Sequence, residues 1–179
     1  MHHVKSTPSW AALVETVGRL EAAGLTVALG GSGLLAALGL ADAVRDWDVT
    51  TDEPLERVTR ALDGGPFTWH GSDALHADQK LALAGGEIEV IVGFAFYTPR
   101  GLVRIPTVVS ARHHAVPLGS PACWAVAYHL LGREEKCERL FAHLARHAAE
   151  TETIRRLLEE PLPPALAARL AAHLPSSST

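Results

Sequence analysis

Hydrophobic residues in the N-terminal part of the chain alternate between helical and strand spacing. Apolar positions three or four residues apart predict a helix that begins with Thr7 as its N-cap and ends at Gly24. The same spacing predicts a helix over 52–62, with Asp52 as its N-cap and Gly64 after it. Both predicted helices present one apolar face, which must pack against something else.

Short apolar runs predict the strands. They occupy 25–29, 44–50, 67–70, 79–84, 87–94 and 102–105. The Gly85-Gly86 pair between two of these runs predicts a β-hairpin with a two-residue turn. His113 and His114 fall in a predicted loop, and from Ser120 to Leu174 the spacing is helical.

This order of elements predicts an α+β fold, with a mixed β-sheet, flanking helices and a helical C-terminal segment. We expect an α+β core over 1–116 and a helical segment over 117–179 packed on it, as a single compact unit. The Leu and Ala stripes of the last helices are core or a homodimer surface.

Composition and net charge restrict the classes of partner that we expect for this protein. The chain has 179 residues and a formal net charge of −4, and it contains no basic run, so a long nucleic acid held by phosphate neutralisation is not expected. No apolar stretch reaches the roughly 18 residues of a membrane span, and the polar N-terminus does not resemble a signal peptide. Two cysteines without metal-ligand spacing favour a reducing, cytoplasmic location.

The candidate chemistry lies between residues 29 and 51. A predicted strand runs into Gly30, Gly31 and Ser32, and a short helix follows at once, an arrangement that favours an anion. Asp46 and Asp48 lie on the next strand, where residues i and i+2 share one face about 6.6 Å apart. Two neighbouring carboxylates repel each other unless a cation compensates, and Mg²⁺ prefers such ligands together with substrate phosphates.

A third carboxylate is available on the predicted hairpin. Either Glu87 or Glu89 joins the pair if the hairpin strand lies beside the Asp46–Asp48 strand. We favour Glu89, because Ile88 and Val90 bracket it with core positions, whereas Glu87 borders the turn.

These residues resemble the nucleotidyltransferase superfamily of the DNA polymerase β type. The resemblance depends on a pattern of Gly31-Ser32, thirteen intervening residues and then Asp46-Trp47-Asp48-Val49. The third acid of the pattern lies on a later strand. The resemblance covers about residues 10 to 95. The chain departs from the family in having Glu as the third acid, where Asp is common.

The resemblance implies a mechanism. Asp46, Asp48 and Glu89 would hold two Mg²⁺ ions and a nucleoside triphosphate, and Glu89 would help to deprotonate the acceptor. Gly30, Gly31 and Ser32 would contact the phosphates. A nucleoside monophosphate would pass to a hydroxyl or phosphate of a small molecule, a protein or an RNA end, with pyrophosphate leaving.

Several alternatives stay open at this stage. Arg133 and Lys136 loosely match the family's basic residues after a helix break, and they equally match a solvated helix face paired with neighbouring glutamates. His143 and His147 are four residues apart but lack the intervening Glu of a zincin motif, so a solvated face is favoured. A catalytically silent nucleotidyltransferase-fold binding or regulatory module, as in toxin–antitoxin systems, and a metal-dependent phosphohydrolase are the competing functions.

Overall fold

The computed structural model describes residues 8–63 and 65–175. The predicted roles of Thr7 and Gly64 lie outside these residues. The described residues form seven α-helices: α1 (Trp10–Ala22), α2 (Gly31–Ala37), α3 (Leu55–Ala61), α4 (Pro121–Leu130), α5 (Glu134–Leu144), α6 (Thr151–Leu158) and α7 (Pro164–Ala171). The strands are β1 (Ala28–Leu29), β2 (Trp47–Thr51), β3 (Thr68–His70), β4 (Gln79–Leu83), β5 (Ile88–Val92), β6 (Ala95–Thr98), β7 (Gly101–Arg104), β8 (Val109–His113) and β9 (Val116–Gly119).

Helix α1 shows how local sequence sets the helix ends. The Ser9 side chain caps it by accepting a hydrogen bond from the Ala12 amide at 3.2 Å. Gly24 follows the helix with a φ of +74°, as the predicted stop requires. The prediction for α3 is wrong at its start: Pro54, not Asp52, is the residue before the first turn.

The main sheet has seven strands in the order β3-β4-β5-β2-β1-β9-β8, and β6 and β7 form a separate two-stranded sheet. Strand β2 pairs parallel with β5 and antiparallel with β1, and β1 pairs parallel with β9. The predicted mixed sheet and α+β class are therefore confirmed. Strand β2 lies inside the sheet between β1 and β5, so the side chains of β2 have a neighbouring strand on each side.

The hairpin of β4 and β5 has the predicted partners but not the predicted turn. Leu83 pairs with Ile88, which leaves four residues in the connection instead of two. Ala84, Gly85 and Gly86 all have positive φ values in a short 3₁₀ turn, so the two glycines supply a conformation that other residues rarely adopt.

The sequence pattern did not predict β8 and β9. Strand β8 is almost entirely exposed, so it lacks the alternation of a half-buried strand, and β9 contains Pro117. The predicted division between residues 116 and 117 falls inside β9, whose four residues lie in the sheet.

Helices cover both faces of the sheet and complete the core. On one face the rings of Trp10 in α1 and Trp47 in β2 meet edge to face, with centroids 5.5 Å apart. On the other face Trp124 of α4 packs on Phe94, with centroids 5.0 Å apart. None of the helices in the described ranges combines the length and the apolar character of a membrane span.

Candidate active site

The connection between β1 and α2 lies directly against the side chains of Asp48 and Trp124. Gly31 has a φ of +56°, and a Cβ at this position would stand 1.9 Å from Oδ2 of Asp48. A Cβ at Gly30 would stand 1.9 Å from the Trp124 ring. The Gly30 amide also donates a 2.7 Å hydrogen bond to the backbone carbonyl of Asp48. The two glycines therefore place the start of α2 directly against the Asp48 carboxylate.

Asp46 and Asp48 line one cavity of about 270 Å³, together with Ser32 of α2. Asp48 is the second residue of β2 and Asp46 directly precedes the strand. Burial, followed by the nearby charges of Asp46 and Glu89, raises the pKa of Asp48 from 3.8 to about 7. Ser32 is 7% exposed, and its hydroxyl is 3.5 Å from the Asp46 carbonyl, the outer limit of a hydrogen bond.

The two candidates for the third carboxylate lie in different places. Glu89 of β5 is in register beside Asp48, and its Oε2 is 3.5 Å from Nζ of Lys80 in β4. Glu87 lies before β5, and its Oε2 accepts a hydrogen bond from the Ser9 amide at 3.2 Å. Glu89, the acid that we favoured, is thus the one beside Asp48, and it forms an ion pair with a lysine.

The basic residues of the sequence analysis, Arg133 and Lys136, both line the cavity. Nζ of Lys136 lies 5.2 Å from the centroid of the Tyr128 ring, and burial with the charges of Arg45 and Arg133 lowers the pKa of this lysine.

The acidic neighbours of these two residues have other partners. Glu135 pairs with Arg139 and Glu138 with Arg169, so two of the three glutamates of the solvated-face alternative are engaged elsewhere.

Three further basic residues of the cavity wall were not singled out from the sequence: Arg45, His76 and Lys80. Arg45 stands next to Asp46 in the chain, which was a usable signal. Lys80 lies opposite Ile91 on the hairpin, and only the strand register brings it to the cavity. His76 belongs to a loop between β3 and β4, and no periodic pattern places it.

The wall therefore carries both signs of charge. Four basic side chains, Arg45, Lys80, Arg133 and Lys136, face two carboxylates across one small cavity. Such a wall suits a ligand with several negative charges accompanied by a cation, because each part meets opposite charge.

The donor set fits one Mg²⁺ ion. Asp46 and Asp48 supply hard oxygen ligands, and burial, together with the charges of Asp46 and Glu89, raises the pKa of Asp48, so a bound cation would stabilise its ionised form. Mg²⁺ commonly takes one or two protein carboxylates and completes its shell with phosphates and water. Within residues 8–63 and 65–175, no three His, Cys, Asp or Glu residues are grouped to hold a metal ion. A metal here would therefore depend on ligands that the substrate brings.

The other predicted pair, His143 and His147, lies away from this cavity. The two rings stack with centroids 3.8 Å apart, and His147 lies beyond the end of α5. Nδ1 of His147 is 2.8 Å from the His143 carbonyl, so the second ring is bound to backbone.

A larger cavity of about 420 Å³ adjoins the first, and Phe94 lines both. Its carboxylates have partners: Asp52 accepts from the Thr107 amide at 3.1 Å, and Glu160 from the Arg104 amide at 2.9 Å. We therefore place the candidate chemistry in the smaller cavity, where the pKa of Asp48 is strongly shifted.

No protein-family model matches the chain, and a search of curated proteins finds no match. Among solved structures, a protein of Thermotoga maritima whose nucleotidyltransferase assignment is itself provisional aligns with a TM-score of 0.52 and 21% identity. The alignment covers 82% of this chain and 100% of that one. The antibiotic-resistance factor ANT(2'')-Ia aligns with a TM-score of 0.49 and 18% identity, over 90% of this chain and 95% of that one. The chain thus has the fold of the nucleotidyltransferase superfamily, as its glycine and aspartate motifs imply.

Proposed function

We propose that this protein transfers a nucleoside monophosphate from a nucleoside triphosphate to a hydroxyl or phosphate acceptor. One observation carries the proposal: two carboxylates, the glycine-built start of α2 and four basic side chains meet in one cavity of about 270 Å³. A triphosphate with a bound cation has the matching distribution of charge.

The phosphates would lie against Gly30, Gly31 and Ser32 on one side and against Arg133 and Lys136 on the other. The space of a Cβ is taken by the Trp124 ring at Gly30 and by the Asp48 carboxylate at Gly31, so the two glycines hold the start of α2 against Asp48. The Ser32 hydroxyl lines the cavity at the same edge and is a donor for a phosphate. The basic side chains would neutralise the charge that passes to the leaving pyrophosphate.

Asp46 and Asp48 would hold Mg²⁺ together with the phosphates. The bound ion would supply charge neutralisation to the triphosphate and would favour the ionised form of Asp48. Glu89 would be a ligand of the second ion that the family resemblance implies, and it would have to exchange its contact with Lys80 for the metal. The remaining contacts to the triphosphate would position the α-phosphate for in-line attack.

The acceptor remains one of three classes that the motif does not separate: a small molecule, a protein side chain or an RNA end. The 420 Å³ cavity next to the proposed nucleotide site offers room for an acceptor, since Phe94 is a wall of both cavities.

The test is incubation with each α-³²P-labelled nucleoside triphosphate, Mg²⁺ and a cell extract. We expect label in a product with the wild-type protein, and a loss of at least about a hundredfold in Asp48→Asn. Asp42→Asn is the matched control, because Asp42 is an exposed loop residue away from the cavity and should keep wild-type transfer. Wild-type protein that neither binds nor turns over any triphosphate with Mg²⁺ refutes the proposal.

A second candidate is a nucleotide-binding module without catalysis, and the Lys80–Glu89 ion pair favours it. A lysine on the third acid competes with a metal for the same oxygens. Titration calorimetry separates the two functions: triphosphate binding with Mg²⁺, but no pyrophosphate released with any acceptor fraction, supports the silent module. In that case Lys80→Met would strengthen metal binding by removing the competing cation.

A further inference from the structure

A histidine and an aspartate form a hydrogen-bonded pair at the wall of the proposed nucleotide site. Nδ1 of His76 lies 3.0 Å from Oδ2 and 3.2 Å from Oδ1 of Asp73. His76 lines the cavity that contains Asp46 and Asp48. Its side chain is 23% exposed, whereas that of Asp73 is 62% exposed, so the ring is the inner member of the pair.

The hydrogen bonds of Asp73 determine which nitrogen of the ring carries the proton. Oδ1 of Asp73 also accepts the amides of Leu75 at 2.8 Å and His76 at 2.7 Å. These bonds, the His76 amide first, lower the pKa of Asp73 to about 2, so this side chain is a carboxylate at neutral pH. A carboxylate only accepts, so Nδ1 of the neutral ring is the donor and Nε2 keeps its lone pair.

The ring is also held in place by its surroundings. His76 forms an isolated β-bridge with Phe96, and the two rings lie 5.6 Å apart. The residues on either side are tied to the same strand, because Tyr97 donates to the Leu75 carbonyl at 2.8 Å and Ala77 donates to the Ala95 carbonyl at 2.9 Å. Such anchoring fixes a side chain in the way that proton transfer requires.

His76 also stands where the two cavities meet. The next residue, Ala77, lines the 420 Å³ cavity, and His76 itself lines the 270 Å³ cavity. An acceptor that enters from the larger cavity would meet this ring on its way to the α-phosphate. Among the described residues, Nδ1 is the ring atom with a hydrogen bond, which leaves Nε2 for a substrate.

We propose that His76 is the general base that accepts the proton of the acceptor hydroxyl, and that Asp73 is its positioning residue. The inference rests on the nucleotidyl transfer proposed above. It assigns to the imidazole the proton transfer that the family resemblance gave to Glu89, whose Oε2 here lies 3.5 Å from Nζ of Lys80 in an ion pair.

Nε2 takes the proton of the acceptor R–OH, and the oxygen lone pair forms a new bond to the α-phosphorus of the triphosphate. The bond from that phosphorus to the bridging oxygen breaks, and the electron pair leaves with pyrophosphate. The product is R–O–nucleoside monophosphate, and the imidazolium returns its proton to water.

The first experiment compares His76→Gln with His70→Gln in the ³²P-transfer assay. His70 lies exposed on β3, outside the cavity, so its variant should transfer at the wild-type rate. We expect His76→Gln to lose about a hundredfold or more in rate, with the Kd of each triphosphate within about twofold of wild type. Added imidazole should restore part of the rate of His76→Ala, which a merely structural role would not allow.

The second experiment adds a spectroscopic measurement, which needs no acceptor, to the transfer assay. Two-dimensional ¹⁵N NMR of the wild-type rings should show His76 protonated at Nδ1, and Asp73→Asn should shift this tautomer and lower transfer by about tenfold or more.

The failures are distinguishable. Wild-type transfer with an unimpaired, correctly folded His76→Gln overturns this inference and leaves the proposed function standing. An Nε2-protonated ring in the wild type also overturns it. No label transfer by wild-type protein refutes the proposed function, and the role of His76 with it.

Discussion

The raised pKa of Asp48 predicts that replacing this residue by Asn stabilises the metal-free protein. Burial and the charges of Asp46 and Glu89 penalise the ionised carboxylate in the folded state. Asn has nearly the same shape and carries no charge, so the variant imitates protonated Asp48 and removes the penalty. Stability and function should therefore move in opposite directions at this position.

The magnitude follows from the two pKa values. A folded-state pKa of about 7 against 3.8 in the unfolded chain corresponds, at 1.36 kcal/mol per unit, to a ceiling of about 4 kcal/mol. Asp48 keeps some contact with solvent, so we expect a measured gain of about 1–2 kcal/mol at pH 8.

The sign of the pH dependence is also determined. Because the folded state binds the Asp48 proton more tightly, the contribution of this group is fully present below about pH 4. It is lost as the pH rises to about 7, and it stays constant above that value. The free-energy difference between variant and wild type should therefore grow from pH 5 to pH 8.

Urea unfolding in EDTA at pH 5, 6, 7 and 8 measures this difference. Subtracting the wild-type curve from that of Asp48→Asn removes the contributions of all other titrating groups, and Asp42→Asn controls for the loss of an exposed carboxylate. Mg²⁺ with a triphosphate should stabilise the wild type and not Asp48→Asn. A variant less stable than wild type at pH 8, or a difference that does not change with pH, would refute the reasoning.

Three further predictions concern the glycine turn, the phosphate contacts and a helix cap. Gly31→Ala should lower the free energy of unfolding in urea by about 2–4 kcal/mol, because its Cβ would meet Asp48 at 1.9 Å. The control Gly39→Ala, which has open space around its Cβ, should lower it by about 1 kcal/mol, and equal losses would contradict the reasoning. Lys136→Ala should raise the Kd for a triphosphate about tenfold and flatten its salt dependence in titration calorimetry, and an unchanged Kd would exclude the contact. Ser120→Ala should cost about 1 kcal/mol in thermal unfolding, because the cap on the Cys123 amide is lost, and an unchanged stability would contradict this.

Local elements of this fold follow from local sequence. The apolar stripe of α1, the capping of α4 by Ser120 and the glycine break at Gly39 depend on residues within a few positions of one another. The hairpin of β4 and β5 was predicted for the same reason. The length of its turn was not predicted, because Ala84 also adopts a positive φ and an alanine gives no sign of this in the sequence.

Strands without a local signal were missed. Strand β9 lies between β1 and β8 in the sheet. It pairs with β1, although almost ninety residues of the chain separate the two strands. Such pairing depends on which other strands are already in place, and a sequence of four residues containing a proline does not indicate it.

The sequence by itself determined the fold class and the motif at the heart of the site. Ser32, Asp46 and Asp48 are close in the chain, and strand–helix–strand geometry brings them to one cavity, with Gly31 packed against Asp48. The tertiary structure alone decided the remainder of the wall. The strand register brings Lys80 of β4 to the cavity and within 3.5 Å of Glu89 on β5, and the loop before β4 brings His76 to the same cavity, with Asp73 as its partner. Contacts of this kind depend on distances between segments far apart in the chain, which spacing along a sequence does not contain.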